Sequence, residues 1–373
     1  MLAIAVLALL VRLAIAAVTG GGNDLKIYYA FASLAADGDN PFDPPAGFEF
    51  PERLSDNLPG EYVLFAGLLR VVDSPDTLRV LFAFADAGVV LLIGMLYPRP
   101  IVWRAAFVVF YAFNPLVLGS WTATAEDKTI VFGMFAAMLL GLELRRSTLT
   151  WGAAAIVGVL KGLSLFFAPF LAWETWRERG LRVATFFVAG FGVVMFLGHL
   201  PWWPDAFGVY GQRGDHIDFR EPAHASFTQL LDRAGLYDPV LVKIGVPLML
   251  GAAFGAYLLR WIDVREGVVL ASLATLILQP DHAYTRALLA ALPFLLLIRL
   301  SPQRWAVLWA VSSVAAVGVY LQQERDSLGG YGSLAHVFVS NAFLVLVLAY
   351  YARDKWAARG PVSGPALARA PAS

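Results

Sequence analysis

Apolar runs close to 20 residues long recur from one end of this chain to the other. They fall at 1–18, 77–97, 101–121, 127–144, 181–201, 238–260, 264–279, 284–300, 305–322 and 334–352. A helix needs about 20 apolar residues to cross the hydrocarbon of a bilayer. A soluble fold of this length could not bury so much apolar surface. Hydrophobic residues make up 59% of the chain, mean hydropathy is +0.66, and only 15% of residues are charged, against about 25% in soluble domains. The expectation is an all-α polytopic membrane protein with ten spanning helices, one transmembrane domain over 1–353 and a cytoplasmic tail over 354–373. The tail, rich in Ala, Pro and Ser from Gly360 onward, reads as disordered. The first run has no basic stretch before it and many runs after it, so it reads as a retained span, not a cleaved leader.

Two segments do not fit simple crossing. Pro59 to Val72 is too short and carries Gly60 and Arg70, so a short helix at the membrane interface is expected. Trp151 to Trp173 has Lys161-Gly162 at its middle and Pro169 near its end, with basic flanks on both sides (Arg145, Arg146; Arg177, Arg179, Arg182). Cytoplasmic loops collect Lys and Arg, so both flanks want the same side. A broken, re-entrant pair of half-helices satisfies this, provided its irregular backbone is buried in protein or lines a wet cavity.

With those exceptions the topology closes with both termini inside. The loops assigned to the cytoplasm carry 15 Lys and Arg, and the longer outer loops carry 9. The location implied is the plasma membrane. Net charge is zero, so whole-chain charge says nothing about partners; no nucleic-acid partner is expected, and the absence of Cys excludes disulfides and thiolate chemistry.

The outer loops 19–75 and 202–237 hold most of the polar residues. The first contains six Asp and three Glu against Lys26, Arg53 and Arg70. Asp24 follows Gly20-Gly21-Gly22-Asn23. Residues 24–36 suit an amphipathic surface helix with Ile27, Ala30, Phe31 and Leu34 on its apolar face. Asn23 or Asp24 would cap that helix; equally, Asp24 is placed to act as a general base at the outer face. Glu126-Asp127-Lys128 follows the helix-breaking Asn114-Pro115 and reads either as a helix start favoured by the dipole or as a second acidic cluster at the same face. Within the spans, Arg79 and Asp86 lie two turns apart on one helix face and read either as a structural link to a neighbouring helix or as functional groups. Lys161, at the junction of two half-helices, suits an anion. His282 and Arg286, four residues apart, suit a phosphate at the interface or ordinary snorkelling. Trp202-Trp203 and Tyr210 suit carbohydrate or an aromatic belt. Asp215, His216, Asp218 and His224 are too loosely spaced to read as metal ligands.

The order of Asp24, Tyr28, Ala32, Gly38, Asn40-Pro41-Phe42, Asn57-Leu58-Pro59-Gly60-Glu61-Tyr62, Arg79…Asp86, Asn114-Pro115, Glu126-Asp127 and Lys161-Gly162 resembles the GT-C superfamily of integral membrane glycosyltransferases. It is similar to the compact branch of polyprenol-linked mannosyl- and arabinosyltransferases. The resemblance covers residues 20–175; beyond them it holds only in the pattern of spans. It implies a GT-C-like fold and transfer of a sugar, with inversion, from a polyprenyl-phosphate sugar to a hydroxyl of a glycan, glycolipid or protein at the extracytoplasmic face. Asp24 matches the base, and Glu126 and Asp127 match a second acidic position, where relatives often have one acid. Lys161, His282, Arg286 and Lys128 are candidates for the donor phosphate. Some relatives use a divalent cation and others none. Many carry a large extracytoplasmic domain that has no counterpart here. The rival expectation is a transporter or a flippase for lipids or lipid-linked sugars, to which a broken helix with Lys161 and Asp86 in the membrane would also be suited. A third is a non-catalytic scaffold or accessory subunit of a membrane complex, docking through its acidic loop.

Overall fold

The computed structural model describes residues 1–50, 58–206, 226–278, 284–327 and 334–358, without the side chains of 284–287, 319–327, 334–336 and 340. Every regular element among them is a helix. α1 (Leu2–Val18) turns through 87° into α2 (Asn23–Asp37). α3 (Pro59–Leu69) and α4 (Pro75–Leu96) follow. α5 (Ile101–Ala112) resumes after Asn114 as α6 (Pro115–Val117) and a π turn (Leu118–Thr122). Next come α7 (Lys128–Glu143), α8 (Ser147–Lys161), α9 (Ser164–Arg179) and α10 (Leu181–His199). The remainder is α11 (Phe227–Arg233), α12 (Pro239–Leu258), α13 (Val264–Ile277), α14 (Tyr284–Leu297), α15 (Pro302–Ser327) and α16 (Leu334–Ala358).

Local chemistry explains the boundaries. Ser74 accepts from the Asp76 amide at 3.2 Å and Pro75 opens α4. Asp263 and Glu266 form a capping box at the start of α13. Asn114 accepts from the Leu116 and Val117 amides, which restarts the α5 helix beyond its break. Gly162, at φ 67, ends α8 directly after Lys161.

α7 is the central helix, packed against α4, α8, α13 and α14. A second, smaller core joins α2, α3 and α4. There Tyr28, Phe65 and Phe82 meet with ring centroids 5.7–6.2 Å apart, above Tyr62, Phe31 and Leu78.

The chain is a helical membrane protein, but ten spans do not emerge. Among the described residues four helices are long and apolar enough to cross: Pro75–Leu96, Ile101–Thr122, Leu181–His199 and Pro239–Leu258; the bent pair α1 and α2 would make five. The runs at 127–144, 264–279 and 284–300 form helices of 16, 14 and 14 residues. The physical reason is that an apolar run can serve a protein core as well as a bilayer. In α13 nearly every residue from Val264 to Ile277 is buried against other helices. In contrast, the most apolar stretches of α10 and α12 are only 6% and 17% buried by protein, leaving faces for lipid. The chain does break at Lys161-Gly162, and α16 runs on to Ala358, into the stretch expected to be tail.

The charges inside the spans join helices, the first of the two readings open for Arg79 and Asp86. Arg79 bonds Asp76 at 2.9 Å and the carbonyl of Thr19, tying α4 to the end of α1. Asp86 is held by Arg12 of α1 and by Tyr111 of α5. Arg12, wholly buried, also donates to the Ala112 carbonyl at 2.8 Å, just before the Asn114 break. Arg79 and Asp86 thus each link α4 to a neighbouring helix, and Arg12, hidden in an apolar run, was missed.

Candidate functional site

Three backbone features bring separate segments together at one end of the bundle. The first is the turn between α1 and α2. Gly21 lies at φ 75, and the Gly22 amide bonds the Thr124 carbonyl at 2.7 Å. A Cβ on Gly22 would stand 3.1 Å from Thr124, so glycine permits this approach. The second is Ala125, a non-glycine residue at φ 58 directly before Glu126. Such strain persists only where its surroundings enforce it. The third is Gly60 of α3, which lies so close to Val159 of α8 that a Cβ would be 2.0 Å from its Cγ1. That contact sets Glu61 beside Lys161.

Lys128, the first residue of α7, is the hub. Its Nζ lies 3.3 Å from Asp24 Oδ2, 3.1 Å from Asp127 Oδ1 and 3.1 Å from the Tyr28 hydroxyl, and it also bonds Glu126. A lysine at a helix N-terminus is opposed by the helix dipole; the carboxylates around it offset that cost. Lys161 Nζ reaches Asp127 Oδ2 at 2.5 Å and Glu61 Oε2 at 3.1 Å. Tyr28 lies between the lysines, each ammonium 5.8 Å from its ring centre, and its hydroxyl donates to Asp127 at 3.0 Å.

The cluster is buried apart from Asp24 and, in part, Lys161. The side chains of Glu61 and Asp127 are 2% exposed, and those of Glu126 and Lys128 7% exposed, but that of Asp24 is 44% exposed. Burial pushes Glu126 up to about 7; Lys128 pulls it down, and Asp24 and Asp127 push it further up. Burial would also raise Asp127, but Lys128 and Lys161 outweigh it and hold Asp127 well below the usual carboxylate range. Glu61 goes well above it, through burial and the neighbouring Asp127, against the pull of Lys161.

Five of the singled-out residues, Asp24, Glu126, Asp127, Lys128 and Lys161, therefore share one cluster. The capping roles are corrected. Gly22 is the N-cap of α2, and Asp127 occupies the N-cap of α7 without a side-chain bond to its amides. The buried face of α2 is Leu25, Tyr28, Phe31, Ala32 and Ala35, not one centred on Ile27, Ala30 and Leu34. Lys161 faces carboxylates that already balance its charge. His282 and the Asp215–His224 group lie outside the described residues, as does the side chain of Arg286. Glu61 and Tyr28 had no role assigned from sequence; the Pro-Gly preceding Glu61 was the signal available for the first. The segments before α3 and after α10 meet, through Asn40 and Asp205 at 2.7 Å and Phe42 against Trp202. A resident divalent cation does not suit this donor set, because the two ammonium groups already hold the carboxylate oxygens it would need.

No family model matches the chain. A stretch of 100 residues is 29% identical to the probable efflux pump gsfJ of Penicillium aethiopicum, covering 24% of this chain and 18% of that protein. The chain thus matches less than a fifth of that relative's length.

Proposed function

We propose that this chain is a glycosyltransferase of the GT-C type, moving a sugar from a polyprenyl-phosphate sugar to a hydroxyl acceptor at the extracytoplasmic face. The observation that carries the proposal is Asp24: a half-exposed carboxylate fixed by Lys128 at the mouth of a largely buried charged cluster. An acceptor hydroxyl is a poor nucleophile and needs a base within hydrogen-bond reach. Asp24 takes the hydroxyl proton; the oxygen attacks the anomeric carbon; the bond to phosphate oxygen breaks with inversion, and the lipid phosphate leaves. Carboxylates already balance Lys128 and Lys161, so His282 and Arg286 are the proposed sources of positive charge for that phosphate. Glu126 and Asp127 hold Lys128 in place. Asp24→Asn should lower transfer by about 10²- to 10⁴-fold in membranes supplied with polyprenyl-phosphate sugar, at unchanged protein level. Full activity would remove Asp24 as base.

The likeness to an efflux pump favours a second reading, a polytopic transporter or a flippase for lipids or lipid-linked sugars. Sequence comparison supports that reading, whereas the geometry around Asp24 supports the first. Reconstituted vesicles separate them. Substrate movement across the bilayer without any new glycosidic bond, lost in Asp127→Asn, would establish transport.

A further inference from the structure

At the far end of α7 from Lys128 a cavity of about 850 Å³ opens between the ends of α7, α9 and α12 and the start of α13. Its wall carries both signs of charge, but most of its carboxylates are committed. Glu143 pairs with Arg265 at 3.2 Å and Arg99 at 3.5 Å, Glu174 with Arg177 at 2.7 Å and with Tyr257, and Glu266 with Lys355. Glu178, exposed, is the acid left over. Two arginines stand apart. Arg145 and Arg260 are exposed, line this cavity, and have no side-chain partner among the described residues.

Their backbone is as unusual as their lack of partners. α7 and α12 end alike, with the Arg146 amide bonding the Gly141 carbonyl at 2.8 Å and the Trp261 amide the Ala256 carbonyl at 2.9 Å. In such a helix end the residue in the left-handed conformation is usually glycine. Here it is Arg145 at φ 56 and Arg260 at φ 60. Two strained positions occupied by cations on one cavity wall suggest that the side chains are used.

The surroundings indicate by what. Trp173 and Trp176 pack edge to face at 4.9 Å and are 39% and 47% exposed, and Trp261 is 66% exposed. A smaller hollow of about 260 Å³ joins Arg260 and Arg177 to Trp173, Trp176 and Leu258. Tryptophan beside arginine, under an apolar helix face left uncovered by protein, is the signature of the membrane interface.

We propose that the cavity binds the phosphate of an anionic phospholipid, held by Arg145 and Arg260, with the acyl chains against Trp173, Trp176 and Leu258. The site is independent of Asp24 and of whichever activity resides there. The test uses the full chain in nanodiscs of phosphatidylcholine with or without phosphatidylglycerol, with retained lipid counted by native mass spectrometry. Wild type should retain phosphatidylglycerol over phosphatidylcholine, and the retention should fall as ionic strength rises. The double variant Arg145→Gly/Arg260→Gly relieves the backbone strain, so its melting temperature in phosphatidylcholine should hold or rise while retention drops by about tenfold. Equal retention of the two lipids by wild type, undiminished retention in the variant, or indifference to salt would overturn the proposal. So would displacement of the lipid by inorganic phosphate alone, which would assign the cavity to a soluble anion.

Discussion

Glu126 is the residue at which pH should be felt. Its carboxyl is raised from 4.5 to about 7, chiefly by burial. A carboxyl raised by folding binds its proton more tightly in the native state, so its contribution is fully present below pH 4.5. It is lost as pH climbs from there through 7. The loss is on the order of 3 kcal/mol for this group. The melting temperature should therefore fall between pH 5 and pH 8, and Glu126→Gln should flatten that fall. Glu61 titrates in the same direction, so the difference between wild type and variant is the quantity to read; identical slopes would contradict the assignment. Asp127 acts oppositely. Depressed in the fold, it contributes above its ordinary value and is lost only in acid. Sequence spacing could bring Glu126 and Asp127 forward together, but not divide their roles, because the division is made by Lys161 and Glu61, one on each of two distant segments.

At the scale of elements, what positions the cluster is a close approach of backbones. Val159 of α8 fits between Gly60 of α3 and Gly198 of α10, with added Cβ atoms falling 2.0 Å and 2.6 Å from its methyls. Gly60→Ala must push α3 off α8 and carry Glu61 away from Lys161. A destabilisation of about 1–3 kcal/mol is expected from such overpacking, seen as a lower denaturation midpoint, and Val159→Ala in the same chain should recover part of it. An unshifted midpoint would show that α3 is free to move. This approach was not legible beforehand. Glycine at 60 read only as a weakness in an apolar segment, and nothing in the sequence pairs it with Val159. The helices themselves were more legible. α2 runs Asn23–Asp37 against an expected 24–36, and α8 breaks at Lys161-Gly162. What failed was the cap of α2, because three successive glycines let the backbone turn without a side-chain cap and freed Asp24 to reach Lys128.

For the whole molecule, the direction of α7 and α8 fixes which groups share an end. α7 begins at Lys128 in the cluster and ends at Glu143 on the 850 Å³ cavity, and α8 returns from Ser147 to Lys161. The Asp24 cluster and the arginine cavity therefore lie at opposite ends of the same helix pair. The 16 residues of α7 rise about 24 Å, short of an upright crossing of the roughly 30 Å hydrocarbon core. This is why counting apolar runs overestimated the spans: a helix sheathed by α4, α8, α13 and α14 needs apolar side chains but no full bilayer width. Sidedness then becomes a clean experiment, since the chain has no cysteine of its own. Asn23 and Thr148 are both exposed and lie at the two ends. With Asn23→Cys and Thr148→Cys introduced singly, a membrane-impermeant maleimide applied to intact cells should label the first and spare the second until the membrane is opened. Labelling of both from outside would break the assignment of the Asp24 cluster and the arginine cavity to opposite faces. The reverse pattern would keep the two faces distinct but move the proposed transfer site to the cytoplasm, where a donor carried on the outer leaflet could not reach it.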